Sequence, residues 1–302
     1  MPNLRSHALL ALAAGVVLAL AAPVQAAVLD LGDAADYGLL AVPNTDDVPD
    51  VNLFASAKVT GDIAVGTDGS FTMFSSGPGR GVFGDLYLAP GVSQSFSSGA
   101  NLTGAIFTNV DLSQAIADAL QASLDAAALT PTQTFGTVNS TTTWISAGGV
   151  NVIDVTTIDL GALDVLTLSG ASSDYFIINV STGFNMSGSS QIVTSGGLNP
   201  NHVLFNFDST GDPLSMTAVS SATGTFLAPF RDAQFDGALV SGAVIANDIR
   251  IGSSGELFHV PFEPPPPPPP SSVIPEPASS LLLGLGLLGG AFGRRRKASS
   301  LP

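Results

Sequence analysis

The chain has no cysteine in 302 residues, and only nine lysines and arginines stand against 24 acidic residues. The first absence excludes a disulfide framework and thiolate chemistry in any compartment. The second is sharper in the body. Of the acidic residues only Glu276 lies in the tail, which leaves 23; of the basic ones Arg5 and four tail residues lie outside, which leaves Lys58, Arg80, Arg231 and Arg250, a net charge of about −19. Nucleic acid and other polyanions need clustered Lys and Arg, so they are excluded as partners. Histidine is scarce as well. His202 and His259, in or beside β-prone runs, read as strand-edge or solvated residues rather than as an acid–base pair. No serine stands in a Gly-x-Ser-x-Gly elbow. Lyases built on β-solenoids stabilise a carbanion with clustered positive charge, which four scattered cations do not supply. The catalytic set is therefore empty and the chain reads as a non-enzyme.

Charge is also missing from an apolar run near each end. Arg5 precedes an uncharged stretch over residues 8–22, followed by Pro23 and the small-x-small pattern Val24, Gln25, Ala26. This predicts a secretory signal peptide, residues 1–26, cleaved between Ala26 and Ala27, so the chain is expected to be exported. The tail has a different build. Residues 278–292 are uncharged and rich in Leu and Gly, and Arg294, Arg295, Arg296 and Lys297 follow. A helix of that length covers about 22 Å at 1.5 Å per residue, short of a hydrocarbon core of about 30 Å. The basic cluster would hold its end on the cytoplasmic side, as a stop-transfer flank does. Such a short transmembrane helix suits a transient hold on the inner membrane better than a permanent span.

Pro275, Glu276 and Pro277, the short Leu/Gly helix and the terminal basic cluster together resemble the PEP-CTERM sorting signal of Gram-negative bacteria that export polysaccharide. The resemblance spans residues 273–297 and leaves a tail at 298–302. It implies an exosortase-type processing enzyme as partner, cutting near the Pro-Glu-Pro, with the product at the cell surface or in the extracellular matrix. Seven consecutive prolines, 264–270, precede the signal. With φ fixed and no amide donor they favour polyproline II, so residues 263–272 are expected to form a linker of roughly 20 Å.

Between the ends, residues 27–262 are long enough for one sizeable core. Short Val-, Ile-, Thr- and Phe-rich runs alternate with Gly, Ser, Asn and Asp, the pattern of strands and turns. Gly61, Gly84 and Gly104 fall at intervals of 23 and 20 residues, and Gly224 and Gly242 at 18. Intervals near 20 fit the coils of a right-handed β-solenoid in which each turn stacks on its neighbour. A β-sandwich is the competing arrangement. One segment breaks the pattern. Leu112, Ile116, Leu120 and Leu124 recur every four residues, with Asp111 as N-cap and Pro131 beyond the end. They predict an amphipathic helix over residues 112–129, lying on the flank of the solenoid by its Leu stripe. The runs "VTGDIAVG", "HVLFNF", "TGTFLAP" and "GALVSGAVIANDI", in that order, resemble the choice-of-anchor A domain, with a weaker similarity to ice-binding β-solenoids. The resemblance covers about residues 29–260 and implies fold and location rather than activity. "YGLLAVPNTDDVPD" departs from the compact first coil it would imply.

Three candidate features remain. Asp46, Asp47 and Asp50 place carboxylates in a proline-bounded loop, where calcium takes oxygen ligands, but their spacing matches neither an EF-hand nor a nonapeptide repeat. They read as a solvated turn, with no other metal site and no cofactor. Ice binding would need sustained rows of outward Thr, and "VNSTTTW" and "DVTTIDL" give clusters only. Trp144, the single tryptophan, reads as core rather than as a sugar platform. The expectation is an exported, non-enzymatic surface or matrix protein, structural or adhesive in the exopolysaccharide layer of a biofilm. Exopolysaccharide is its candidate partner, and ice or carbohydrate binding the alternative.

Overall fold

The computed structural model describes residues 29–44, 47–74, 77–252 and 254–267. The chain first winds through β1 (Leu39–Ala41), β2 (Asp50–Leu53), β3 (Lys58–Thr60), β4 (Ile63–Val65), β5 (Ser70–Met73), β6 (Gly81–Phe83), β7 (Leu86–Leu88), β8 (Ser93–Phe96) and β9 (Ile106–Thr108). The helix α1 (Ser113–Ala128) follows, and a second winding comprises β10 (Gln133–Val138), β11 (Thr142–Ile145), β12 (Val150–Leu160), β13 (Val165–Ser169), β14 (Tyr175–Met186), β15 (Gln191–Ser195) and β16 (Val203–Asn206). It finishes with β17 (Leu214–Thr217), β18 (Ser221–Thr223), β19 (Thr225–Ala228), β20 (Ala233–Asp236), β21 (Leu239–Gly242), β22 (Val244–Ala246), β23 (Ile249–Gly252) and β24 (Glu256–His259).

Every pairing between these strands is parallel, and each strand away from the ends of the rod is bonded to its counterparts in the coils above and below. This is a β-solenoid with one flanking helix; a sandwich would need antiparallel partners. The coils present three faces. One runs β9-β7-β4-β1-β22-β19-β16-β14 and a second β8-β5-β2-β23-β20-β17-β14, the two joined into a 16-stranded sheet by the long strands β12 and β14. The third is an 8-stranded sheet, β11-β13-β15-β18-β21-β24-β3-β6.

Spatial order differs from chain order in one respect that spacing alone does not reveal. The first coil lies in the interior of the rod: β1, β2 and β3 pair with β22, β23 and β24 of the last coil on one side and with β4, β5 and β6 on the other. "YGLLAVPNTDDVPD" supplies this junction. From there the first winding builds outward to an end at β8 and β9, α1 carries the chain away, and the second winding builds back from β10 and β11. Two solenoid segments thus meet in the middle without covalent continuity.

The Gly repeat marks one corner of the coil. A Cβ on Gly84 would stand 2.2 Å from the Gly61 carbonyl oxygen, one on Gly104 2.1 Å from that of Gly84, and one on Gly242 1.9 Å from that of Gly224. Only glycine lets successive corners approach so closely. Beside it, Asp62 accepts the Asp85 N–H and Asp85 accepts the Ala105 N–H, each carboxylate closing the corner of the next coil. Inside the rod, Phe184, Phe205, Phe207 and Phe226 form an edge-and-stack cluster, with Phe205 and Phe226 centroids 5.0 Å apart.

The helix lies on the first face, but not by the predicted stripe. Ala115, Ala119, Ala122, Ser123 and Ala126 are buried against the sheet, Ile116 and Leu120 are half-buried at its margin, and Leu124 is 54% exposed. A four-residue step advances about 40° beyond a full turn, so three such steps carry Leu124 roughly 120° away from Leu112. The alternating steps of four and three from Ala115 to Ala126 stay on one line. Small side chains also let helix and sheet approach closely. The sheet answers with Leu40, Ala64, Ile177, Leu204, Leu227 and Ile245. At the helix end an amide ladder fixes the register: Ser123 Oγ donates to Asn206 Oδ1 at 2.7 Å, Asn206 Nδ2 donates to Ser123 O and Asn179 Oδ1, and Asn179 Nδ2 donates to Ala126 O. The N-cap position is Leu112 rather than the expected Asp111 and makes no side-chain cap bond; Asp111, just before it, accepts the Ser113 N–H at 3.0 Å.

Candidate functional site

With one face under the helix, the other two meet solvent, and their outward columns are set by strand register. On the second face Asn185, Ser215, Gln234, Arg250, Asn52 and Thr72 form one column. On the third, Thr143, Thr167 and Val193 align at one end, and Thr223, Ser241, Phe258, Thr60 and Phe83 at the other. Coils lie about 4.8 Å apart, so these columns are regularly spaced; most members carry hydroxyl or amide groups, with Arg250, Val193, Phe258 and Phe83 among them.

The body's few cations are tied down. The Lys58 ammonium stands between two rings, 4.7 Å from the Phe258 centroid and 5.8 Å from that of Phe83. Arg250 lies over Phe54 at 5.2 Å, and Arg80 pairs with Glu256. Arg231 is 2% exposed; its guanidinium donates to the carbonyls of Ser181, Thr182 and Ser209 and lies over Phe207, and its burial lowers its pKa. These charges hold turns and rings in place.

The histidines are likewise engaged. His202 is buried, stacked on Tyr175 with centroids 4.0 Å apart, Nδ1 3.1 Å from the Asp174 carbonyl and Nε2 3.5 Å from Glu263. His259 places Nε2 3.2 Å from the Ala35 carbonyl, which it serves as donor, and burial lowers its pKa. His202 marks where the chain leaves the body. Phe262 is buried, the Glu263 N–H donates to Asn201 O, Asn201 Nδ2 donates to the Glu263 carboxylate, and the Tyr175 hydroxyl donates to Pro264 O. The start of the proline run is therefore laid along the flank, with Pro265 buried. Trp144 is 2% exposed and stacked on Phe135 at 5.0 Å, in the core.

Of the three candidate carboxylates, Asp46 lies outside the described residues. Asp47 caps its own turn, accepting the Val48 N–H, and Asp50 opens β2, its N–H donating to Asp248 Oδ1 at 2.9 Å. The residue missed by sequence reasoning is Asp248. Burial, then the charges of Asp232, Asp50 and Asp47, push its pKa up to about 6 despite the Asp50 hydrogen bond. No group of three or more His, Cys, Asp or Glu placed to hold a metal occurs among the described residues. Clefts flank both ends of α1: one of about 220 Å³ at its end, lined by Phe135, Asp154, Asn179 and Asp208, and one of about 480 Å³ beside its start, lined by Pro43, Pro90, Val110 and Ile116.

Residues 29–259 match the family model described as "Putative Ice-binding-like adhesive domain". The chain belongs to that family. Residues 273–297 match the PEP-CTERM protein-sorting motif, so this ice-binding-like adhesive domain protein is exported, and the motif implies processing by an exosortase-type enzyme. Of the two body resemblances, the ice-binding one is what the family match supports. No curated protein matches. Among solved structures the chain is similar to the ice-binding protein of the Antarctic ascomycete Antarctomyces psychrotrophicus, at 21% identity and a TM-score of 0.54 over 78% of this chain and 100% of the other. It is also similar to an ice-binding protein with antifreeze activity from an Arctic yeast, at 16% identity and 0.53, over 82% and 99%. At these identities the likeness shows the fold. The expected signal peptide, Pro275, Glu276, Pro277 and the basic cluster Arg294, Arg295, Arg296 and Lys297 lie outside the described residues, and no described helix is long and apolar enough to cross a membrane.

Proposed function

We infer that the protein is a non-enzymatic adhesive or structural rod of the cell surface or extracellular matrix, working in the exopolysaccharide layer of a biofilm after exosortase processing in a Gram-negative envelope. One observation carries this reading: two solvent faces with regularly spaced columns rich in hydroxyl and amide groups, on a solenoid, stand in a chain that carries a sorting motif at residues 273–297. Such surfaces suit multivalent polar contacts with a hydrated polymer, where many weak sites act together. The test is fractionation of cells with and without their exopolysaccharide. The protein is expected in the matrix fraction of the first and in the medium of the second; equal distribution would overturn the role. The processing step is checked by mass spectrometry, where recovery of mature protein still ending in the Arg cluster counts against it. We assign no cofactor; a calcium titration that leaves heat and Tm unchanged agrees with that.

Ice binding is the second reading, favoured by the family, the similar structures and the Thr143–Thr167 and Thr223–Ser241 alignments. Phe258 and Phe83 interrupt that column. Thermal hysteresis equal to that of buffer would dismiss it.

A further inference from the structure

The two ends of the rod lack the charge by which exposed sheet edges are ordinarily blunted. Here β8 and β9 pair on one side only, as do β10 and β11 at the opposite end. At the first end the last core layer stands open: Phe96, packed against Phe71, is 38% exposed and Ile106 is 41% exposed. At the second end Phe135 and Trp144 form the last layer, and a Cβ on Gly136 would meet nothing. Neither end carries charge. Residues 86–110 contain no Asp, Glu, Lys or Arg, and neither do residues 126–153, in a body with a net charge of about −19. Like charge keeps the flanks of two copies apart, and the ends are where copies can meet without that repulsion.

We propose that the occupant of each end is the other end of a second copy, stacked head to tail so that the three sheets run on from one molecule into the next. The molecule already contains such a junction: β1, β2 and β3 pair in parallel with β22, β23 and β24, although some 200 residues of chain separate the two coils. The free ends offer the same parts in the same order. β9 and the first half of β10 lie on the helix-covered face, β8 and the second half of β10 on the second face, and residues 101–103 and β11 on the third. All strands are parallel, so a head-to-tail copy meets each edge in the direction the sheet already takes. The contact is heterologous and does not close, which yields linear filaments. The described part of the stalk lies on the flank by Tyr175 and His202 and covers neither end.

The test uses the exported protein in sedimentation velocity over a wide concentration range. Weight-average mass should rise with concentration through multiples of one protomer. Gln94 points inward over Phe71 at one end and Gln133 over Ile153 at the other, and both reach solvent. Q94K and Q133K each place at one end a charge that stacking would bury unpaired. Each variant alone should remain a monomer. An equimolar mixture should give a dimer and nothing larger, because only one free end of each kind remains. That recovered dimer also shows that both variants are folded, with T108K as a second way to block the first end. A wild type that stays monomeric throughout overturns the proposal. So does a dimer of Q133K alone, which would mean pairing of like ends.

Discussion

The helix-covered face and the second, polar face are made of the same strands' neighbours, wound in the same coils, yet their sequences differ in period. β1, β4, β16, β19 and β22 are buried at every position, and they read as apolar runs broken only by Asn206 at the end of β16 and Thr225 at the start of β19. β2, β5, β17 and β20 alternate buried and solvent-facing residues. The difference teaches that in a solenoid the pattern of a strand reports what lies outside it as much as what lies inside. A strand with two apolar sides needs a second layer, and α1 is that layer.

The comparison breaks most readily on the covered face. Leu227→Ala removes a fully buried side chain beneath the helix and should cost about 2–5 kcal/mol, whereas Gln234→Ala, on the second face, should stay within about 0.5 kcal/mol in the same denaturant titration. Equal costs would mean that the helix adds no burial. Next comes Ala119→Leu. Ala119 has no exposed surface against the sheet, so the larger side chain should push α1 outward at a cost of about 1–3 kcal/mol. Faster amide exchange confined to α1 and the covered strands would be its signature.

Much of this architecture was legible and some was not, for definite reasons. The glycine spacing was visible because a corner that admits no Cβ imposes glycine at each coil, as at Gly61, Gly84 and Gly104. The presence of a helix was visible from its period and from Asp111. Its buried side was misread because large apolar residues draw attention, while a close helix-to-sheet contact selects Ala115, Ala119 and Ala122. "YGLLAVPNTDDVPD" stood out as an irregular first coil, but its insertion beside the last coil could not be seen, since strand pairing across some 200 residues leaves no local mark of the partner. Asp248 was missed for a related reason. Its neighbours Asp50 and Asp47 are distant in sequence and meet it only across that junction.

Asp248 stands at the corner between the covered strand β22 and the polar-face strand β23, and it sharpens the contrast with pH. Its folded pKa, about 6, lies above the ordinary carboxylate value of 3.8, so the folded state holds the proton more tightly than the unfolded chain. The carboxyl thus favours folding below about pH 4, and that advantage is lost as pH rises through 6. Asp248→Asn keeps an acceptor for the Asp50 N–H and removes the charge. It should raise stability at pH 7.5 by about 1 kcal/mol, after allowance for solvent screening of a partly exposed group, and by nothing measurable at pH 4. A gain equal at both pH values would mean that ionisation of this carboxyl is not the cause.

The smallest expected effect is on the outer side of the helix. Leu124 is 54% exposed and takes no part in the contact made by Ala119, Ala122 and Ala126, so Leu124→Glu exchanges one exposed side chain for another of similar helix propensity. Its neighbour Asp125 already accepts a hydrogen bond from Gln121 on the same exposed side. The change in unfolding free energy should stay within about 0.5 kcal/mol. Set beside Ala119→Leu, this inverts the usual ranking of a helix, in which the leucine is the residue that cannot be touched. A loss above about 1 kcal/mol from Leu124→Glu would mean that α1 is held by its leucines after all, rotated by roughly a third of a turn from the position described.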